Sequence, residues 1–167
     1  LKKGDPEREY DLNYSLFKEY QSFMYDSAYF YANRSLEHAV RIGCPDRIVQ
    51  SRFALVFCYL SSGLFLEAFD EIKGIDARNV SNDVKAEYFA LYNRLCYDAS
   101  DFNTTENWSI EYTRQGTLFA DSLMAIVPKD SYKYVFTQAQ REIKHWHYRE
   151  CIDIYQSLLD GYGVSEH

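Results

Sequence analysis

The run Leu55-Val-Phe-Cys-Tyr-Leu-Ser-Ser-Gly-Leu-Phe-Leu-Glu-Ala-Phe-Asp-Glu-Ile72 constrains the fold more than any other part of the chain. Apolar side chains recur at helical spacing up to Leu60, Gly63 interrupts them, and a second periodic stretch starts at Phe65. A helix, a tight turn and a returning helix satisfy that order. Gly63 can take the left-handed conformation that ends a helix. Phe65 can close the corner as an apolar staple. Ala68 is small enough for two antiparallel helices to approach closely, so it is expected to be buried where they cross.

The set Tyr59, Gly63, Phe65 and Ala68 resembles a tetratricopeptide repeat, and the pattern recurs. Upstream, Leu16-Phe17-x-x-Tyr20 precedes Tyr25-Asp-Ser-Ala28 and Ser35-Leu36-x-x-Ala39. Ala28 then corresponds to Ala68, 40 residues on. The consensus period is roughly 34, and the excess is assigned to the Ile42 to Asp46 connection. A third unit has a clear first helix, Asp83 to Tyr97, and then a long polar connection, Asp98 to Asn107. The helical run holding Ala120, Leu123 and Ala125 closes at Val127-Pro128. A fourth unit runs from Tyr134 to Lys144, turns at His145-Trp146-His147, and continues through Tyr148-x-x-Cys151 and Tyr155-x-x-Leu158. There Cys151 takes the small-residue place.

The expected fold is therefore all-α, a tetratricopeptide-like solenoid of antiparallel helix pairs with about four repeats and seven or eight helices. Composition agrees. Seven Gly and three Pro in 167 residues are too few for a turn-rich β protein, and the prolines (6, 45 and 128) stand where helices begin or end. The 16 Tyr and 11 Phe are read mainly as packing between helix pairs. In such an array each pair buries its apolar face against its neighbours. The chain, residues 1–167, reads as a single repeat domain. Its last segment, from Asp160, does not read as a finished helix but as a connection into a further repeat, so the chain is taken as part of a longer protein. Residues from Gly161 onward are expected to be poorly ordered or held by a neighbour. An uncovered face including Ile152, Tyr155 or Leu159 offers a route to self-association.

Eighteen basic against 25 acidic residues give a net charge of −7, which argues against nucleic-acid binding through a basic face. No apolar run is long enough to span a membrane. Cys44, Cys58, Cys96 and Cys151 form no CxxC pair. Three of them fall on apolar helical faces and read as buried thiols; Cys44 lies in a turn and is the most exposed candidate. His145 and His147 form the one metal-like arrangement, but two residues apart they do not share a helix face. No metal or other cofactor is assigned, and the corner reads as aromatic packing. Asp26-Ser27 and Asp121-Ser122 lack a histidine at an orienting spacing, and both fall in ordinary second-helix segments. No catalytic constellation emerges, and the chain is read as a non-enzyme.

Three stretches carry a more specific resemblance: Glu19-Tyr-Gln-Ser-Phe-Met-Tyr-Asp-Ser-Ala28, Tyr59-Leu-Ser-Ser-Gly-Leu-Phe-x-Glu-Ala68 and Lys85-Ala-Glu-Tyr-Phe-Ala-Leu91. Together they resemble the N-terminal sensor region of a family of Bacteroidetes membrane-bound regulatory proteins, over roughly Tyr10 to Gly163. In that family, tetratricopeptide repeats precede a single transmembrane helix and a cytoplasmic segment that resembles a DNA-binding regulator. The resemblance implies the exported, periplasmic or otherwise extracytoplasmic, sensing half of a membrane-anchored regulator; without it, a cytoplasmic location stands. The partner expected for such a module is a peptide or protein, or else a small ligand, held along a concave face. Tyr20, Phe53, Phe57, Leu60, Arg94, Tyr97, Gln140 and Lys144 are the candidate residues. Their aromatics would hold the apolar part of a ligand, and Arg94 or Lys144 a carboxylate. Two other readings are a structural assembly scaffold and a glycan-uptake-type repeat lipoprotein, a class that usually carries long loop insertions, which are missing here.

Overall fold

Asp5 opens the first helix by accepting a hydrogen bond from the Glu7 amide, and Pro6 takes the first helical position, where its missing N–H costs nothing. The computed structural model describes residues 5–162. Among them are eight helices and no strand: α1 (Pro6–Tyr20), α2 (Tyr25–Ile42), α3 (Pro45–Ser61), α4 (Phe65–Lys73), α5 (Asn82–Phe102), α6 (Glu106–Ile126), α7 (Tyr132–Lys144) and α8 (Tyr148–Tyr162). The chain divides into two compact units, Leu1–Tyr88 and Phe89–His167, and the division falls inside α5. Helix pairs of tetratricopeptide type make up both, as the sequence pattern predicts.

In the first unit, α1 packs on α2, α2 on α3 and α3 on α4. The core joins Phe17 of α1, Ala28 and Ala32 of α2, and Ala54, Leu55 and Cys58 of α3. The alanines let backbones approach; aromatic rings fill the space around them. Phe17 meets Phe57 edge-on, Tyr20 stacks on Tyr31, and the Tyr29 and Tyr59 hydroxyls lie 3.4 Å apart. Ala68, the anchor of the opening motif, is completely buried in α4. Arg52 of α3 closes the C-terminus of α4: it pairs with the Glu71 carboxylate and donates to the Glu71 and Gly74 carbonyls. His38 is buried, with Nδ1 3.2 Å from a Glu9 carboxylate oxygen but without the alignment of a hydrogen bond.

In the second unit the Phe89–Phe102 part of α5 lies antiparallel to α6. Tyr92 stacks on Phe119 with centroids 3.9 Å apart, Asn93 donates to the Gly116 carbonyl at 2.9 Å, and Ser100 donates to the Ser109 carbonyl. A Cβ on Gly116 would stand 2.5 Å from the Tyr97 ring, so only glycine allows this approach. Ser131 caps α7 by accepting from the Tyr134 amide, and α7 packs against both α6 and α8.

Three boundaries differ from the sequence reading. The excess over the consensus period is not in the Ile42 to Asp46 connection, where only Gly43 and Cys44 separate α2 from α3. It lies in helix length, since α2 has 18 residues and α3 has 17. The polar connection Asp98 to Asn107 is mostly helix: α5 continues through Phe102, leaving three residues before α6. Polar side chains there have partners that sequence polarity does not reveal, among them Asp98 with Arg94, and Asn103 donating to the Ala99 carbonyl. Finally, α8 does not stop at Asp160 but runs through Gly161 to Tyr162. The rest of the predicted loose end, residues 163–167, lies outside the described residues.

One regularity had been only partly visible. The fourth residue of each returning helix is small: Ala28 in α2, Ala68 in α4, Ser109 in α6 and Cys151 in α8. These positions are 40, 41 and 42 residues apart. The third follows the polar stretch at the end of α5, which masks it in the sequence.

Candidate ligand-binding groove

The eight residues singled out from the sequence fall in both units. In the first, Phe53 and Leu60 are buried, Tyr20 is stacked on Tyr31, and Phe57 is packed edge-on against Phe17. In the second, Tyr97 is only 3% exposed and its ring lies against Gly116. Lys144 is held internally: its Nζ donates to the Tyr97 carbonyl at 3.1 Å and to Asp101 at 2.5 Å. Gln140 is half-buried on α7. Arg94 is half-exposed and paired with Asp98 one turn on. Packing thus claims most of the aromatics, and Lys144 serves as a strut between α7 and α5.

A groove lies beside that strut, entirely within the second unit, with a volume of about 920 Å³. α6 lays two rows along it. One is the hydroxyl row Ser109, Thr113 and Thr117; the other is Ile110, Arg114 and Leu118. The four-residue spacing keeps each row on one helix face. The α7–α8 corner supplies the facing wall with Ile143, His145, Trp146 and Tyr148. Ile110, Leu118, Ile143, Trp146 and Tyr148 are all exposed. Five large apolar side chains around one concavity depart from the scattered single residues of an ordinary surface.

The hydroxyl row is internally bonded. Thr117 Oγ1 donates to the Thr113 carbonyl at 2.9 Å, and two other groups lie within hydrogen-bond distance of it, Tyr97 Oη and His145 Nε2 at 3.1 Å. The contact with Thr117 fixes the orientation of the His145 ring. On the other flank of the corner, His147 Nδ1 pairs with Glu142 at 2.7 Å. That contact comes first among the causes that hold the Glu142 carboxyl below its ordinary range. Among the described residues, no group of three His, Cys, Asp or Glu side chains is placed to hold a metal ion.

Trp146 stands between the two histidines, and the backbone there is unusual. Its φ is +64°, and among the described residues it is the one non-glycine residue with positive φ. The turn has a twin in the first unit. Ser62-Gly63-Leu64 and His145-Trp146-His147 show the same backbone bonds. The Gly63 amide donates to the Leu60 carbonyl as the Trp146 amide does to Ile143. The Leu64 amide donates to Tyr59 as the His147 amide does to Glu142. Gly63 has φ +74°. The same step that glycine takes without strain costs an L-residue about 1–2 kcal/mol. The tryptophan there is 76% exposed, and Tyr148 meets its ring edge-on. Burial cannot offset that strain. The corner has the aromatic contacts expected of it, His145 with His147 and Trp146 with Tyr148, but they leave most of the indole in solvent at the lip of the groove. Setting Leu60-Ser-Ser-Gly-Leu-Phe65 above Ile143-Lys-His-Trp-His-Tyr148 would have shown tryptophan in the glycine place.

The model of the family described as the SusR N-terminal TPR domain matches residues 1–167. The chain belongs to that family. No curated protein and no solved structure matches it. As a TPR domain it is of a repeat class that generally mediates protein–protein contacts and is generally non-catalytic. The eight-helix architecture agrees with that membership. Among the described residues, no helix of this TPR domain is long and apolar enough to cross a membrane.

Proposed function

We propose that the chain is a non-catalytic binding module, the sensor part of a signalling or transcriptional regulatory protein, and that its ligand is a peptide or protein segment seated in the α6 and α7–α8 groove. The observation that carries this is the convergence of Ile110, Leu118, Ile143, Trp146 and Tyr148 on one concavity. An apolar groove edged by polar groups suits an extended or helical segment with spaced apolar anchors. The family description supports the regulatory assignment. We place the domain on the extracytoplasmic side of a membrane-anchored protein, following the resemblance in the three stretches quoted above.

Peptides selected from a displayed random library on the immobilised chain test the reading. Leu118→Asp and Ile110→Asp change exposed positions, so folding should persist while affinity for the selected peptides falls about tenfold or more, at least 1.4 kcal/mol. Arg94→Ala, outside the groove lining, should leave it unchanged. The reverse pattern would move the site to the Arg94 face. Release of a cleaved peptide by the pure chain would defeat the non-catalytic assignment.

A further inference from the structure

Within the reading of the groove as a peptide site, we infer that it selects a basic segment, with one lysine or arginine cation on the Trp146 and Tyr148 rings and the Glu106 carboxylate of the same groove open to a further cation of that segment. Four observations lead there. The groove's two cations are already compensated. Arg114 makes two hydrogen bonds to Glu111, at 2.9 and 2.7 Å, and Lys144 is bound to Asp101 and the Tyr97 carbonyl. A ligand anion approaching either cation would meet the Glu111 or Asp101 carboxylate already beside it. Glu106 also lines the groove, and among the described residues no cation stands within ion-pair distance of it. A ligand cation would find it uncommitted.

The indole supplies the third observation. A ring held in solvent at a strained backbone step, where the twin turn uses Gly63, serves contact with something outside the chain. The faces of tryptophan and tyrosine attract Lys and Arg, tryptophan most strongly. The fourth is extent. The groove exceeds the room one side chain needs, and Ile110, Leu118 and Ile143 offer apolar seats next to the ring pair. The net charge of −7 would also draw a basic segment toward the chain.

The test uses the 167-residue chain and three short synthetic peptides that alternate leucine with lysine, glutamine or glutamate. Affinity is measured by calorimetry and folding by thermal melting. The lysine peptide should bind at least about tenfold more tightly than the glutamate peptide. Glu106→Gln should narrow that gap without changing the glutamine peptide. Trp146→Gly and Trp146→Asn should each weaken the lysine peptide about tenfold with a melting temperature no lower than wild type, since both residues tolerate this backbone step. Variants that melt lower and bind as before would make Trp146 structural and overturn the inference. Equal binding of lysine and glutamate peptides, lost in Leu118→Asp, would overturn the cation preference and leave the groove standing. If no peptide binds while a neutral oligosaccharide raises the melting temperature through Trp146, the peptide reading itself falls.

Discussion

Gly116 and Trp146 show two opposite uses of local geometry. At Gly116 the absence of a side chain serves packing, because the Tyr97 ring occupies the space a Cβ would need and Asn93 bonds the Gly116 carbonyl. At Trp146 a large side chain stands where glycine would be easier, and the proposed contact with a ligand cation would account for it. The two make contrasting predictions. Gly116→Ala should destabilise by about 1–3 kcal/mol despite alanine's better helix propensity, because the ring must shift inside a packed interface. Chemical denaturation with the helical signal as readout would show it. A stability equal to wild type would mean that the Tyr97 ring moves freely. Neither residue declared its role by type alone. Glycine inside a helix reads as a weak point, and tryptophan beside two histidines reads as core or metal site. Only the neighbouring ring in one case, and the twin turn in the other, separates these meanings.

The helices themselves were largely legible because their apolar residues repeat at helical spacing and their ends carry Pro6, Gly43, Pro45 and Gly63. The failures share a physical cause. At Asp98, Ser100 and Asn103 the sequence is polar, but the polar groups find partners in or beside α5, so helix continues where a loop was expected. That error hid Ser109 as the third member of the small-residue series. The series makes a graded prediction. A charge at the fourth position of a returning helix should cost more the deeper that position lies. Ala68→Asp, at a fully buried site, should lose about 3 kcal/mol or more, whereas Ser109→Asp, half-exposed beside the groove, should lose about 1 kcal/mol or less. Melting temperatures of the two variants measure the difference. Equal losses would mean that the fourth position is not the point of close helix approach. The site was far less legible than the helices. Periodicity marks Tyr97, Phe53 and Leu60 as interior or groove-facing alike, and nothing in a single helix says which neighbour covers them.

At the scale of the whole molecule, buried and half-buried phenols set the alkaline limit of the fold. Burial raises Tyr10, Tyr14, Tyr88, Tyr97 and Tyr155 above the ordinary tyrosine range, and the hydrogen bond with Tyr29 leads the causes that raise Tyr59. Burial also pushes the Cys58 thiol up to about 11. All these groups are neutral in the fold and ionise more readily once unfolded. Their contribution is therefore fully present below the unfolded values, about 9 for Cys and 10 for Tyr, and is lost as pH rises through the folded ones. The shifted carboxyls act in the opposite direction. Asp76 and Glu111, held down by Arg78 and Arg114, stabilise above about pH 4 and lose that effect as pH falls. Both carboxylates reach solvent, Asp76 more than Glu111, so solvent screens their pairs and the acid limb should be shallow. The expected profile is asymmetric: melting temperature nearly flat from pH 8 down to about 5, and falling steeply between about pH 9 and 11. Tyrosinate absorbance followed against helical signal over the alkaline limb provides the check. The raised phenols should ionise together with loss of helix. Ionisation of nearly all 16 tyrosines near pH 10 in a chain that stays helical would show that the phenols are open to water in the folded state.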